Sequence, residues 1–521
     1  MKGVDTVVVV VGLVLGAGVG VCGELNPVYL SPVQDLVFPV VGSGDGDGDG
    51  DGERSPLMVL GANSPWFGGP NVNNESNDTP QGCTVEQVAY VVRHGSRFPD
   101  QGAYNEWVAL YNKIQNSTFT ASGSLEFLKT WKPVLTHPSL QIAQESPTGY
   151  KEAYDLGYRL RTRYPDLYAY GSPFMAWANL YPRVVQTAQN FVRGFLGSSA
   201  STLGTVVTVN STGSPQAIFD SLAPSDLCPN FRDGNGGVEG TIWSSTYLPP
   251  ITARLNALVT GNLTFAPSDV SIFPYLCGFE SQITGQFSPW CSVFTAAELL
   301  QYEYAQDLRY YYGTGDGTDL PSKMMLPFLN SLLGLLGKGP GQVGQGKNGT
   351  FKVPDIVTAF LNDGQLTELV AATGVMGDQK PLNGSAMPAV GEWKYVASRF
   401  VSMRGTVAFE RLSCSPVEEV QSAYDPPRPS PSNSTSGKET YIRILLNDAV
   451  YPVPTCQDGP GRSCALEEYT EIVARKLGDA GDLRGRCNVS EAVRMTGNGT
   501  SGRGASFFTE LGGAWLGSVV P

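Results

Sequence analysis

The chain contains 521 residues, which is enough for one large enzyme or for several average domains. Hydrophobic residues make up 41% of the chain and aromatic residues 10%, as in globular proteins with a substantial core. The 35 basic and 48 acidic side chains give a formal net charge of −13, which argues against nucleic acid or an anionic membrane as a partner.

The first 22 residues are predicted to be a signal peptide. Lys2 precedes an almost wholly apolar stretch, 7–21, which ends in small residues and is short for a membrane span. An uncleaved signal anchor is the alternative. Residues 23–60 include a Gly-Asp alternation at 43–53 without apolar side chains, which predicts a flexible spacer or propeptide. The folded unit is expected at 61–521, beginning near Gly61 or at Gly82.

Two further features fit entry into the secretory pathway. The chain carries ten Asn-x-Ser/Thr sequons, which predict a surface covered with N-glycans. These sequons begin at Asn74, Asn77, Asn116, Asn210, Asn262, Asn348, Asn383, Asn433, Asn488 and Asn498. Removal of Cys22 with the signal would leave eight cysteines, an even set suited to disulfides. We therefore expect a secreted protein, extracellular or associated with the cell wall.

The apolar run Val88–Val92 predicts a buried strand, and the glycine at position 95 permits a sharp turn after it. Between strand and turn, His94 lies between Arg93 and Arg97. The two arginines should depress the pKa of the histidine and leave a ring nitrogen free to attack. Guanidinium forks also match the oxygens of a phosphate. A chance basic turn that only binds an anion is the alternative interpretation.

Beyond this motif, helical spacing of apolar residues alternates with short strands. Helices are predicted at 103–128, 149–164, 184–195, 296–311, 324–336 and 366–375, and strands at 356–361, 406–412 and 441–446. Loops are predicted at 234–240 and 426–436. Strands separated by long helical inserts, about 103–178 and 248–340, predict an α/β core with an α-helical cap.

Two segments resemble a known family. Residues 93–99 read Arg-His-Gly-Ser-Arg-Phe-Pro, similar to the Arg-His-Gly-x-Arg-x-Pro signature of the histidine acid phosphatases. Residues 183–191 resemble that family's Arg-Val-x-x-Thr-Ala-x-x-Phe stretch. The resemblance covers roughly 82–487 and is closest to the fungal secreted acid phosphatases and phytases. It implies a phosphoglycerate mutase-like α/β core sheet flanked by helices, with an inserted α-helical cap.

The resemblance also implies a chemistry, the hydrolysis of phosphomonoesters without a metal or organic cofactor. It assigns His94 as the nucleophile and Arg93, Arg97 and Arg183 as phosphate-binding residues. The expected partner is a small phosphomonoester, with phytate as one candidate, and neither nucleic acid nor a stable membrane association is expected.

The family usually carries a His-Asp pair after a late strand, in which the histidine contacts phosphate and the aspartate donates a proton. This chain has two histidines, His94 and His137, and aspartate follows neither of them. His137 is expected to be an exposed loop residue.

Two Asn-Asp pairs are candidates to replace the missing His-Asp pair. Because Asn362 and Asp363 lie at a predicted strand end, we assign Asp363 as the proton donor and Asn362 as a phosphate-binding substitute. The alternative pair, Asn447 and Asp448, resembles a structural segment of fungal members. A dianionic substrate should raise the pKa of Asp363, which predicts an acidic optimum.

Eight cysteines alone leave about 105 pairings open. The resemblance suggests Cys83 with Cys414, the close pairs Cys277–Cys291 and Cys456–Cys464 are natural short loops, and Cys228 with Cys487 would complete the set.

The substrate class is less specified than the chemistry. Residues 100–110 carry no lysine or arginine, so a broad acid phosphatase is favoured over a dedicated phytase, a myo-inositol hexakisphosphate phosphohydrolase. A rival from another class is a non-catalytic relic of the fold that only binds phosphorylated ligands.

Overall fold

The computed structural model describes residues 55–210, 217–347, 349–389, 391–415, 438–489 and 505–521. The predicted signal peptide, most of the predicted spacer, the loop 426–436 and the sequons at Asn348, Asn433 and Asn498 lie outside these ranges. The predicted spacer extends too far, because Leu57, Val59 and Leu60 are buried in the hydrophobic core. The folded part therefore includes residues before Gly61.

A mixed β-sheet forms the centre of the molecule. From one edge to the other its strands are Ala449–Val450, Glu439–Leu446, Thr406–Cys414, Cys83–Arg93, Ile356–Leu361, Phe174–Asn179, Gly204–Val209 and Leu516–Val519. A short strand, Cys464–Ala465, also pairs with Glu439–Leu446. Two small antiparallel pairs lie apart from this sheet: Phe119–Ala121 pairs with Val259–Gly261 from a distant part of the chain, and Val343–Gly346 forms a hairpin with Gly349–Lys352.

The four middle strands of the sheet are parallel. Ile356–Leu361 pairs in parallel with Cys83–Arg93 on one side and with Phe174–Asn179 on the other. All six of its residues are buried, as expected for a parallel strand covered on both faces. Because parallel strands end at the same edge of a sheet, the segments that follow these strands meet there.

Helices cover both faces of the sheet and build the cap. Their bounds are Gln101–Gln115, Pro138–Gln141, Pro147–Arg163, Pro182–Leu196, Ala200–Leu203, Gly237–Asn256, Pro267–Val270, Phe273–Thr284, Ala296–Gly313, Leu326–Lys338, Asp363–Thr373, Ser398–Val401, Leu466–Ala480 and Leu483–Arg486. The prediction of an α/β fold with helical inserts is confirmed.

Two boundaries of the predicted inserts are wrong, and the helix predicted at 103–128 ends at residue 115, before the short strand Phe119–Ala121. The first insert, 103–178, ends in the sheet strand Phe174–Asn179, whose continuous apolar run has no period of two to mark it as a strand. The predicted loop 234–240 extends into the helix that begins at Gly237, so the second insert begins earlier than residue 248. Gly236 precedes that helix in the left-handed region, a conformation that glycine adopts without strain.

Among the described residues there are four disulfides, two that link distant parts of the chain and two that close short loops. They join Cys83 to Cys414, Cys228 to Cys487, Cys277 to Cys291 and Cys456 to Cys464, so the predicted pairing is confirmed. Among the residues described, no helix combines the length and the hydropathy that a membrane span requires.

Candidate active site

Three segments that follow parallel strands converge at one edge of the sheet. Cys83–Arg93 leads directly into His94, and Ile356–Leu361 leads into Asn362 and Asp363. Phe174–Asn179 is followed after a short turn by the helix Pro182–Leu196, whose second residue is Arg183. The structure thus brings together the predicted site residues from three separate stretches of sequence.

The backbone around His94 is tied to both neighbouring strands. The His94 amide donates to the carbonyl of Leu361 at 3.0 Å, and the His94 carbonyl accepts from the amide of Arg404 at 2.8 Å. The next residue must be glycine, since a Cβ at position 95 would lie 2.7 Å from Oε1 of Glu145 and 3.0 Å from Cα of Gly149.

Glu152, a buried carboxylate, anchors the turn that follows His94. Its Oε2 accepts from the Ser96 amide at 2.7 Å and its Oε1 accepts from the Ser96 hydroxyl at 2.8 Å. The Trp66 amide also donates to Oε1, at 3.1 Å. These bonds hold the turn between Arg93 and Arg97 in one conformation.

One hydrogen bond determines which nitrogen of His94 can react. Nδ1 lies 2.9 Å from the carbonyl oxygen of Gly95. A carbonyl can only accept, so Nδ1 carries the proton and the neutral ring has its lone pair on Nε2. Burial, followed by the charges of Arg93, Arg183 and Arg97, lowers the pKa of His94 well below its usual range. The ring is therefore held in its nucleophilic, unprotonated form.

Three guanidinium groups surround this histidine. Arg93 is anchored by Nη1, which donates to the carbonyls of Ala62 at 2.6 Å and Val401 at 2.5 Å. The Nε atoms of Arg93, Arg97 and Arg183 are buried and have no hydrogen-bond partner among the described residues. Burial, together with repulsion from Arg97 and Arg93, lowers the pKa of Arg183 to about 10. A bound dianion would offer acceptors to these donors and neutralise the cluster.

Asn362 and Asp363 complete the site. Nη2 of Arg183 donates to Oδ1 of Asn362 at 3.0 Å, which orients the amide so that its nitrogen remains a donor. The Asp363 side chain is 33% exposed, so it can reach a ligand, and its Oδ2 lies 3.5 Å from Nη2 of Arg93. Its Oδ1 accepts from the amide of Gly364 at 3.1 Å.

The pKa of Asp363 differs from the sequence-based expectation. Burial raises the pKa of this carboxyl, but the charge of Arg93 and a hydrogen bond from Tyr310 help to hold it well below its usual range. The expected rise assumed a dianionic substrate beside the carboxyl, whereas the structure places the cation Arg93 beside it.

The sequence analysis missed four residues that support the site: Glu152, described above, and Thr187, Glu145 and Tyr310. The Thr187 hydroxyl accepts from the Gly95 amide at 2.9 Å and donates to Glu145 at 2.7 Å. The Tyr310 hydroxyl donates to Oδ2 of Asp363 at 2.7 Å. Thr187 lies in the stretch 183–191, which the sequence analysis used only for Arg183. Nothing in the sequence distinguishes Tyr310 from the adjacent Tyr311 and Tyr312.

The other residues considered in the sequence analysis, His137, Asn447 and Asp448, have structural roles or none in this site. His137 is exposed, as predicted, at the start of a short helix. Asn447 is buried and accepts from the amide of Thr406 at 2.8 Å, while Asp448 pairs with Arg159. Both residues have positive φ in the turn between two strands, so this Asn-Asp pair shapes a hairpin.

Within the described ranges, one group of side chains has the spacing of metal ligands: Cys456, Cys464 and Glu468. Its two sulfurs are bonded to each other in a disulfide and cannot act as thiolate ligands.

Comparisons with known proteins agree with this geometry. The profile of the histidine phosphatase superfamily (branch 2) matches residues 84–447. The chain is 28% identical to phytase PHO112 of Candida albicans, over 83% of this chain and 87% of that protein. It is 25% identical to the constitutive acid phosphatase of Saccharomyces cerevisiae, over 94% of each chain. The crystal structure of the phytase from D. castellii superposes with a TM-score of 0.72 at 25% identity, covering 88% of this chain and 92% of that one.

Proposed function

The chain belongs to branch 2 of the histidine phosphatase superfamily and is a phosphomonoester hydrolase of the histidine acid phosphatase type, and from this premise we propose the roles of its residues and its substrate class. His94 is the nucleophile, Asp363 is the proton donor, and Arg93, Arg97, Arg183 and Asn362 bind the phosphoryl group. The observation that carries this proposal is the Nδ1–Gly95 hydrogen bond, which leaves the lone pair of His94 on Nε2 among three arginines.

In the first step, Nε2 of His94 attacks phosphorus and the bond from phosphorus to the ester oxygen breaks. The three guanidinium groups and the Asn362 amide stabilise the charge on the non-bridging oxygens. The Asp363 carboxyl gives its proton to the departing alkoxide, which leaves as the alcohol.

In the second step, water attacks the phosphohistidine. The Asp363 carboxylate takes a proton from that water, the bond from phosphorus to Nε2 breaks, and inorganic phosphate leaves. His94 is then restored with its proton on Nδ1, and no metal ion enters either step.

An acidic optimum follows from these roles. The lowered pKa of His94 keeps the nucleophile unprotonated even in acid. Asp363 must be protonated in the substrate complex, and the negative charge of the bound phosphate raises the pKa of the carboxyl towards that state. Both conditions hold together only at acidic pH.

The surroundings of the site favour a broad phosphatase over a dedicated phytase. Asp100, 58% exposed, lies 3.7 Å from Arg97. The exposed Asp226 accepts from the Tyr181 hydroxyl at 3.0 Å, and its charge acts on both Arg183 and Asp363. Arg309 is already occupied by Asp233 at 2.6 Å. Carboxylates at these positions would repel the additional phosphates of inositol hexakisphosphate.

A dedicated phytase is the second candidate, because relatives named as phytases and relatives named as acid phosphatases both match most of the chain. One is named a phytase and another a constitutive acid phosphatase, with identities of 28% and 25%. The ratio of kcat/KM for inositol hexakisphosphate to that for p-nitrophenyl phosphate distinguishes the two candidates.

We also propose that the protein is secreted. Four disulfides support an oxidising compartment, because such bonds do not persist in a reducing cytosol. Several sequons, including Asn74, Asn116 and Asn262, are on exposed or half-buried positions that glycans can occupy.

The deciding experiment compares wild-type protein with His94→Ala in the hydrolysis of p-nitrophenyl phosphate across acidic to neutral pH. We expect acid-optimal activity that falls by at least about a thousandfold in the variant. A second assay traps the phosphohistidine intermediate with labelled substrate. The reaction is quenched in alkali, because phosphohistidine is acid-labile. We expect labelled phosphate to remain bound to wild-type protein and not to His94→Ala. A folded wild-type protein without activity would instead indicate the phosphate-binding relic.

A further inference from the structure

We propose that Tyr310, a residue of the helical cap, is a positioning residue that holds the proton donor Asp363 in its working orientation. The inference rests on the proposed function, and it adds a cap residue to a site otherwise built from the ends of sheet strands and the segments that follow them.

The contact joins two separate parts of the fold. Tyr310 lies in the cap helix Ala296–Gly313, and its hydroxyl donates to Oδ2 of Asp363 at 2.7 Å. A capping box between Thr295 and Glu298 fixes the start of this helix. Asp363 begins the core helix Asp363–Thr373. A single hydrogen bond therefore connects the cap to the carboxyl that we assign as the acid.

Tyr310 is the close side-chain donor to this carboxyl. Arg93 lies farther from Oδ2, at 3.5 Å, and its Nη1 is already committed to two backbone carbonyls. A bound phosphoryl group would draw the remaining donors of Arg93 towards itself. In the substrate complex the Gly364 amide still binds Oδ1, and Tyr310 is then the side-chain partner on Oδ2 that restrains rotation of the carboxyl.

The ring of Tyr310 is itself held in place. It is 5% exposed, and the guanidinium of Arg309 lies 4.9 Å from its centroid. Burial, followed by the charge of Asp363, raises the pKa of Tyr310 well above its usual range. The hydroxyl therefore remains a donor at every pH at which the protein works.

The hydroxyl has a predictable effect on titration. A donor to the charged form of a carboxyl lowers its pKa, so removal of the Tyr310 hydroxyl should raise the pKa of Asp363. The other charged or titratable groups that act on this carboxyl, or on which it acts, are Arg93, His94, Arg97, Arg183, Asp226 and Arg309. All of them remain unchanged in Tyr310→Phe.

The test is the pH profile of Tyr310→Phe with p-nitrophenyl phosphate. We expect kcat to fall about tenfold, the loss that accompanies removal of one hydrogen bond to a charged group, while KM changes less than about twofold. The alkaline limb of the kcat profile should move upwards by about half to one pH unit.

Tyr304→Phe is the matched control on the same helix. The Tyr304 hydroxyl donates to the carbonyl of Asn383 at 2.9 Å and accepts from its amide at 3.0 Å, so the control also loses buried hydrogen bonds. It should lower thermal stability at most and leave the pH profile as in wild type. If Tyr310→Phe also changes only stability, the residue is structural and the proposal is wrong.

A second measurement does not depend on turnover. Carboxyl-carbon NMR of aspartate-labelled protein, with the Asp363 signal identified by Asp363→Asn, reports the titration of this group directly. An upward shift in Tyr310→Phe supports the proposal even if the wild-type protein proves inactive. An unchanged titration overturns it even if the wild-type protein is a phosphatase.

Discussion

Asn362 is the residue at which this site departs from the family pattern of a His-Asp pair. A protonated histidine would bring a positive charge to the phosphate, whereas the asparagine amide brings only a dipole. The Asn362 amide also has an acceptor: its Oδ1 accepts a hydrogen bond from Nη2 of Arg183 at 3.0 Å. A protonated histidine has two donors and no acceptor, so it could not accept this bond. We infer that the asparagine holds Arg183 in place at the expense of phosphate affinity.

Asn362→His should therefore strengthen phosphate binding in acid. A charge-assisted hydrogen bond is about twice as strong as a neutral one, so the inhibition constant of inorganic phosphate should fall about threefold to tenfold below pH 5.5. At pH 7.5, where the new histidine is neutral, it should remain within about twofold of wild type.

The check is product inhibition of p-nitrophenyl phosphate hydrolysis at the two pH values, with Asn447→His as the control at the other Asn-Asp pair. An inhibition constant that is equal in wild type and Asn362→His at both pH values would contradict the role given to Asn362.

At the scale of elements, the contact between two helices positions Arg183. The helices Pro147–Arg163 and Pro182–Leu196 approach closely at Gly157 and Gly194. A Cβ at position 157 would lie 2.1 Å from the backbone oxygen of Phe191, and a Cβ at position 194 would lie 2.0 Å from that of Tyr154. The helix that carries Arg183 therefore cannot keep its place if either glycine gains a side chain.

Gly157→Ala should destabilise the protein by about 2 kcal/mol or more, because backbone rather than a flexible side chain occupies the space. Gly334→Ala is the control: that glycine is also inside a helix but has no atom within 4 Å of its Cβ position. It should be neutral or more stable by up to about 1 kcal/mol.

Unfolding of both variants in urea measures these changes. If Gly157→Ala unfolded at the same urea concentration as wild type, the close contact between the two helices would not contribute to stability and the prediction would be wrong.

The elements also show where sequence patterns suffice. The strand Ile356–Leu361 was predicted with its observed bounds, since five apolar residues and one threonine end in the polar turn that begins the next helix. Phe174–Asn179 is buried at all but one position but follows a long helical region, and its apolar run gives no separate signal. Gly204–Val209 and Leu516–Val519 were likewise not predicted.

At the scale of the whole molecule, several buried carboxyls have raised pKa values. Burial raises the pKa of Glu145 to about 8 and that of Glu280 to about 7. Burial also raises the pKa values of Glu368 and Asp307 well above their usual range. These carboxyls are therefore neutral in the folded protein at acidic pH. As the pH rises, ionisation of a buried carboxyl becomes unfavourable relative to ionisation in the unfolded chain.

The protein should consequently be more stable in acid than at neutral pH. A carboxyl with a raised pKa contributes stability that is complete below its unfolded pKa of about 4.5 and is lost as pH rises through the folded value, here about 7 to 8. The lowered pKa values of Asp363 and Asp448 act in the opposite sense and remove stability below about 3.8. We expect the highest Tm between about pH 4 and 5.5.

Thermal unfolding from pH 3 to 8 measures this dependence. Glu145→Gln should flatten the decline above pH 5, since the amide has the shape of the protonated carboxyl and does not ionise. A Tm that rises from pH 5 to 8, or an equal slope in the variant, would contradict this assignment.

Some properties of this protein were determined by its sequence alone. The motif at 93–99 and the stretch that begins at Arg183 identified the family and its class of hydrolysis, because both depend on residue type and local order. The full set of disulfide pairs needed the resemblance to that family as well, since the cysteines alone leave many pairings open. The tertiary structure decided the rest. It selected Asn362–Asp363 as the Asn-Asp pair beside Arg183 and Arg93, and it brought the hydroxyl of Tyr310 in the cap to Asp363. Such contacts depend on which strands lie side by side and which helix packs above them, and no local pattern of residues encodes that arrangement.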